Sequence, residues 1–157
     1  NIASGHHGRL TSGWLAAYPM NLFSLKGRRA LITGSGRGLG LRFAEGLAEV
    51  YSVELSWRAG GMSDVRRERV YQSLRDWGRD VRSLRTDRST AEVTARAVVL
   101  LHELDAETRE RTKDAKDIDD VTRILKVMRK VSTLKFIAAT EQVLGGKSKV
   151  LATPLLK

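Results

Sequence analysis

The chain has 157 residues, of which 41% are apolar and only two are proline, a balance that predicts a folded domain, or a domain with a helical extension, and not a disordered chain. Cysteine is absent and no apolar run reaches bilayer length, which excludes disulfides, thiolate metal sites and a membrane span. The formal net charge of +10, from 28 Lys and Arg against 18 Asp and Glu, suits an anionic partner such as nucleic acid, a phosphate-bearing cofactor or an acidic surface, and equally suits a solvated arginine-rich exterior.

The segment Asn1 to Met20 reads as a loose arm containing Gly, Ser and His, without a signal-peptide pattern. Arg28 to Thr33 is a short apolar run with the pattern of a buried strand, and Gly38 to Val50 places Leu39, Phe43, Leu47 and Val50 at helical spacing. Val53 to Trp57 alternates and is β-prone, which predicts a second strand. Gly60-Gly61 breaks the chain. Ser63 then caps a helix to about Trp77, ended by Gly78. Val81 to Leu84 reads as a third strand, followed by Asp87 and a Ser89-capped helix from Thr90 to about Thr112.

Three strand-helix units with short connections predict an α/β fold, a partial Rossmann-like parallel sheet. Past Lys113 the pattern changes to one long basic amphipathic helix over Ile118 to Leu144, stopped by Gly145-Gly146 and followed by a basic, apolar tail. The expected organisation is therefore an arm (1–20), a dinucleotide-binding segment (21–112) and a helix with its tail (113–157).

The run Thr33-Gly34-Ser35-Gly36-Arg37-Gly38-Leu39-Gly40 is the most distinctive stretch. Gly34 allows a sharp turn out of a strand, Gly38 lets the backbone close on phosphate, and Gly40 lets helix and strand pack tightly. The free amides and dipole of the helix start favour an anion. With its surroundings, "NLFSLKGRRALITGSGRGLGLRFAEGLAEV", this run resembles the short-chain dehydrogenase/reductase family in its Thr-Gly-x-x-x-Gly-x-Gly form, and weaker similarity continues to about Leu104.

The resemblance implies an oxidoreductase-like domain with a dinucleotide cofactor. Gly34, Gly38 and Gly40, with Leu39 between the last two, would line the pyrophosphate, Thr33 would steady the loop, and Ser35 and Arg37 would lie near the adenosine ribose. Arg58 stands where many NAD-preferring members carry an acid. With Arg37 it would suit a ribose 2′-phosphate, which points to NADP rather than NAD. Asp87 matches the aspartate that contacts the adenine amino group.

The family's catalytic Asn, Ser, Tyr and Lys are missing. None of Tyr18, Tyr51 and Tyr71 has a lysine four residues on, and the only asparagines are Asn1 and Asn21. The resemblance therefore implies a truncated or inactive relative. His6-His7 and the isolated His102 do not make a metal site, and Asp114, Asp119 and Asp120 read as the acidic start of a helix.

"KDIDDVTRILKVMRKVSTLKFIAATEQVL" has a second, shorter resemblance, to the N-terminal helix of the gamma subunit of rotary ATP synthases, carried by Ile118, Val121, Ile124, Lys126, Met128, Val131, Lys135 and Phe136. It implies a subunit or assembly protein of a large complex, docked on a protein partner or a second copy through the 118–144 helix. A ribosome- or nucleic-acid-associated protein is a third reading, from charge alone. The expected location is soluble, in the cytoplasm or mitochondrial matrix. Two signatures meeting near Lys113 also leave a composite chain open.

Overall fold

In the computed structural model the described residues are 39–86, 90–128 and 131–157, all within the unit Ile32–Lys157. They form five α-helices: α1 (Leu39–Arg58), α2 (Asp64–Gly78), α3 (Ala91–Thr112), α4 (Ile118–Lys126) and α5 (Thr133–Leu144), with a 3-10 turn at Pro154–Leu156. Among the described residues there is no strand and no sheet. The expected α/β fold, with its Rossmann-like parallel sheet, is therefore replaced by a helical bundle.

The second predicted strand, Val53 to Trp57, is the last part of α1. Between Leu47 and Ala59 the sequence has neither Gly nor Pro, so nothing stops the helix begun at Leu39. The apolar stripe also keeps its helical period, with Phe43, Val50 and Val53 buried and Glu54 buried beside them. Alternation over five residues was the weaker of two overlapping periods. The chain turns at Gly60, whose φ of +75° needs no Cβ.

The third predicted strand, Val81 to Leu84, has no regular structure. Leu84 is fully buried, and its amide donates to the Leu155 carbonyl at 2.9 Å. That isolated bond anchors a loop and does not build a ladder. The first predicted strand, Arg28 to Thr33, lies outside the described residues.

The helix ends follow local chemistry closely. Ser63 caps α2 by accepting from the Arg66 amide, as its position predicts. The cap of α3 is Thr90, whose hydroxyl accepts from the Val93 amide. Asp117 and Asp120 form a reciprocal capping box at the start of α4. Gly145, at φ +69°, closes α5.

The long helix expected over Ile118 to Leu144 is two helices. α4 ends at Lys126, and α5 begins after Ser132, which is extended (φ −97°, ψ 165°) and accepts from the Lys135 amide. A straight helix of that length would run about 40 Å, too far for both ends to share one small core. Breaking it lets Ile118, Val121 and Leu125 enter the same core as Phe136, Ala139 and Val143. The continuous register that suggested a rotor-shaft helix is thus a sequence coincidence.

α3 is the central element and packs against α1, α2, α4 and α5. Ala97, Val98, Val99, Leu100, Leu101 and Leu104 are all essentially inaccessible, which marks a helix enclosed on every side. Phe43 of α1 stacks on Phe136 of α5 with ring centroids 4.0 Å apart. The predicted basic, apolar tail is part of this core through Leu151, Leu155 and Leu156.

Candidate functional site

Of the residues expected to hold a dinucleotide, only Leu39, Gly40 and Arg58 are among the described residues. Thr33, Gly34, Ser35, Arg37, Gly38 and Asp87 lie outside the described residues. Leu39 and Gly40 open α1, and Arg58 is its last residue. At 1.5 Å per residue, Gly40 and Arg58 stand about 27 Å apart along one helix. In a Rossmann fold the returning second strand would bring Arg58 beside the loop. Here α1 carries Arg58 to the opposite end of the helix from Gly40.

Arg58 instead lines a cleft of about 460 Å³ between α1, α2, α3 and the start of α4. The cleft also presents Glu54 and Trp57 from α1, Arg67 from α2, His102, Asp105 and Arg109 from α3, and Asp117. Glu54 and Trp57 are one turn apart, so both face α2. Glu54 Oε1 accepts from Arg67 Nε at 2.8 Å, from Arg67 Nη2 at 2.7 Å and from the Tyr71 hydroxyl at 2.9 Å. The Arg67 guanidinium also lies over the Trp57 ring, 4.7 Å from its centroid, and Trp57 Nε1 donates to Asp64 at 2.5 Å.

On the other wall Arg109 bridges two acids, donating from Nε to Asp105 at 2.9 Å and from Nη2 to Asp117 at 3.0 Å. Its hydrogen bond to Asp105 holds the guanidinium even more firmly protonated than usual. Asp105 also accepts from the Ile118 amide at 2.8 Å, and Asp117 from the Asp119 amide at 2.9 Å. A single network therefore ties α3 to the start of α4.

His102 lines the cleft and stacks on the buried Tyr71 ring, 3.6 Å between centroids and 10° from parallel. Burial and the bond to Glu54 push the Tyr71 phenol well above its ordinary range, so it stays protonated and acts as a donor. Arg75, four residues after Tyr71, pairs with Glu68 at 3.0 Å. Burial, then the charge of Arg67, lowers the His102 pKa below 6.5. Neutral His102 is thus the folded form at neutral pH. The unfolded chain takes up that proton at higher pH than the folded chain does. Stability is therefore expected to fall as pH drops from about 6.5 through the lower folded value, then to level off. Denaturation curves across this range check it, with His102→Gln losing the step.

The sequence singled out Arg58 but missed Glu54, Arg67, Asp105, Arg109 and Asp117 as a group. The Asp105–Arg109 spacing was legible as an i, i+4 pair. The convergence of three helices on one cleft was not. Among the described residues no group of acids and histidines could hold a metal ion, and no helix is long and apolar enough to cross a membrane.

A second feature is the corner between α4 and α5. Val127 and Leu134 are 84% and 78% exposed, the most exposed large apolar side chains described. They are flanked by exposed Lys126 and Lys135. Comparison with protein-family models, with curated proteins and with solved structures finds no match to this chain. With no strand among the described residues, the resemblance to short-chain dehydrogenases is overturned. The one to the ATP synthase gamma helix falls with the end of α4 at Lys126 and the separate start of α5 at Thr133.

Proposed function

We propose that this protein is a docking subunit of a larger assembly, attached to an acidic face of a protein partner through the α4–α5 corner. The observation that carries this reading is the pair Val127 and Leu134, left almost fully exposed on either side of the corner although adjacent residues on both helices enter the core. Lys126 and Lys135 neighbour them, and the sequence between adds Arg129 and Lys130. Apolar anchors within a basic rim match an acidic amphipathic partner segment, with charge guiding encounter and the apolar side chains supplying affinity.

The basic excess is unevenly spread along the sequence. Every acid except Asp87 lies among the described residues, whereas Arg9, Lys26, Arg28, Arg29, Arg37, Arg88, Arg129 and Lys130 lie outside them. The described bundle is thus much closer to neutral than the whole chain. Many of its arginines are also held by acids, as in Arg67–Glu54, Arg109–Asp105 and Arg123–Asp120.

An acidic amphipathic helical peptide titrated into the full chain at low salt is expected to bind saturably and to weaken as salt is raised. Val127→Asp with Leu134→Asp should abolish the binding while the helical spectrum persists. A basic peptide of the same apolar pattern should not bind. Equal binding of both peptides, no binding, or binding unchanged by the double substitution would overturn the reading. Salt-dependent RNA binding indifferent to the corner would put the protein in another class.

A further inference from the structure

The cleft holds three arginines from three helices, and only part of their hydrogen-bonding capacity is spent. A guanidinium carries five N–H donors. Arg67 directs both its Nε and its Nη2 at one oxygen of Glu54. Arg109 uses Nε and Nη2 on Asp105 and Asp117. Nη1 of each makes no hydrogen bond to a described residue, and Arg58 makes no side-chain hydrogen bond or ion pair with any of them.

The acceptors of the cleft are far better filled. Both oxygens of Asp105 and both of Asp117 have partners, in each case one arginine and one backbone amide. Glu54 concentrates three donors on Oε1. The cleft therefore presents unspent donors on all three arginines, while Glu54 Oε2 is its one carboxylate oxygen without a hydrogen bond to a described residue. Two of its arginines are held in place, Arg67 by Glu54 and the face of Trp57 and Arg109 by its two acids. Donors fixed in advance bind an anion without the entropy cost of ordering them.

We infer that this cleft is an oxyanion-binding site, in which Arg58, together with the unspent donors of Arg67 and Arg109, receives the carboxylate or phosphoryl group of a small molecule. Its volume suits a ligand of that size, and planar guanidinium groups suit either oxyanion by bidentate hydrogen bonds. The neutral imidazole of His102 lines the same cleft and supplies one further donor or acceptor. The inference is independent of the α4–α5 corner.

Calorimetric titration of the full chain at low salt, with inorganic phosphate in one arm and succinate in the other, tests it. Saturable binding of either supports the site, and the arm that binds names the group. Arg58→Gln is expected to weaken binding at least about tenfold with little change in thermal stability, because the Arg58 side chain makes no hydrogen bond or ion pair with a described residue. Arg69→Gln, on the exposed face of α2 and outside the cleft, should bind as the parent does. If neither ion binds saturably at millimolar concentration, or if Arg58→Gln binds as well as the parent, the inference fails.

Discussion

Glu107→Ala is expected to lower the stability of the fold by about 3 kcal/mol and to release the C-terminal tail from the bundle. Glu107 is nearly buried on α3. Its carboxylate accepts from the Ser148 hydroxyl at 2.6 Å, the Lys149 amide at 2.8 Å and the Val150 amide at 3.2 Å. Arg111, one turn on, approaches it at 3.5 Å and donates to the Lys147 carbonyl at 2.7 Å. Removing the carboxylate leaves these donors facing a cavity. It also loosens the segment that carries Leu151, Leu155 and Leu156 into the core.

The same group gives a pH dependence of known sign. Burial raises the Glu107 pKa, but the bonds from Ser148, Lys149 and Val150 outweigh it and leave the carboxyl below its ordinary value of 4.5. The folded chain therefore holds this proton less tightly than the unfolded chain. The contribution is complete above 4.5 and is lost as pH falls through the lower folded value. Urea denaturation of the parent and of Glu107→Ala should accordingly converge in strong acid. Glu107→Gln keeps one acceptor and is expected to fall between them. Equal stabilities of parent and Glu107→Ala at neutral pH would show that the tail is held by its leucines alone.

Gly78→Val is expected to cost about 3 kcal/mol, at the upper end of overpacking, through steric separation of α2 from α3. A Cβ at Gly78 would stand 2.8 Å from the Arg96 amide nitrogen and 2.9 Å from its Cα. Those atoms are backbone within α3 and cannot rotate aside. Even alanine, which favours a helix by up to about 1 kcal/mol over glycine, is expected to destabilise here. Gly46 offers a contrast, since its nearest neighbour is the Leu101 Cδ1 at 2.9 Å, the far end of a flexible side chain. Gly46→Ala should therefore cost less than Gly78→Ala. Thermal unfolding of the three variants ranks them, and the reverse order would mean that α2 shifts freely. Loss of the Tyr71–His102 stack in Gly78→Val, read from the ring resonances, would report the displacement directly.

The features that the sequence made legible are those decided within a few residues. Ser63 as a cap, Gly60-Gly61 as a break, the end of α2 at Gly78 and the stop at Gly145 all depend on local backbone chemistry, and the structure keeps each of them. Charge explains less. The i, i+4 pair Asp105–Arg109 can be read from spacing, but not its extension to Asp117. That contact requires the turn after Thr112, where Lys113 adopts φ +53°, to bring α4 back along α3.

Tertiary packing decided what short periods could not. Val53 to Trp57 has a strand's alternation, yet burying Val53 and Glu54 against α2 and α3 rewards the helix. The 118–144 segment has a helix's unbroken stripe, yet sharing one core between Ile118 and Phe136 requires it to fold in two. The amino-acid sequence by itself determined helix caps, breaks and the balance of charge, because those follow from neighbouring residues. Only the three-dimensional packing decided helix against strand, one helix against two, and which arginines meet in a cleft, because those depend on residues far apart in the chain competing for the same buried volume.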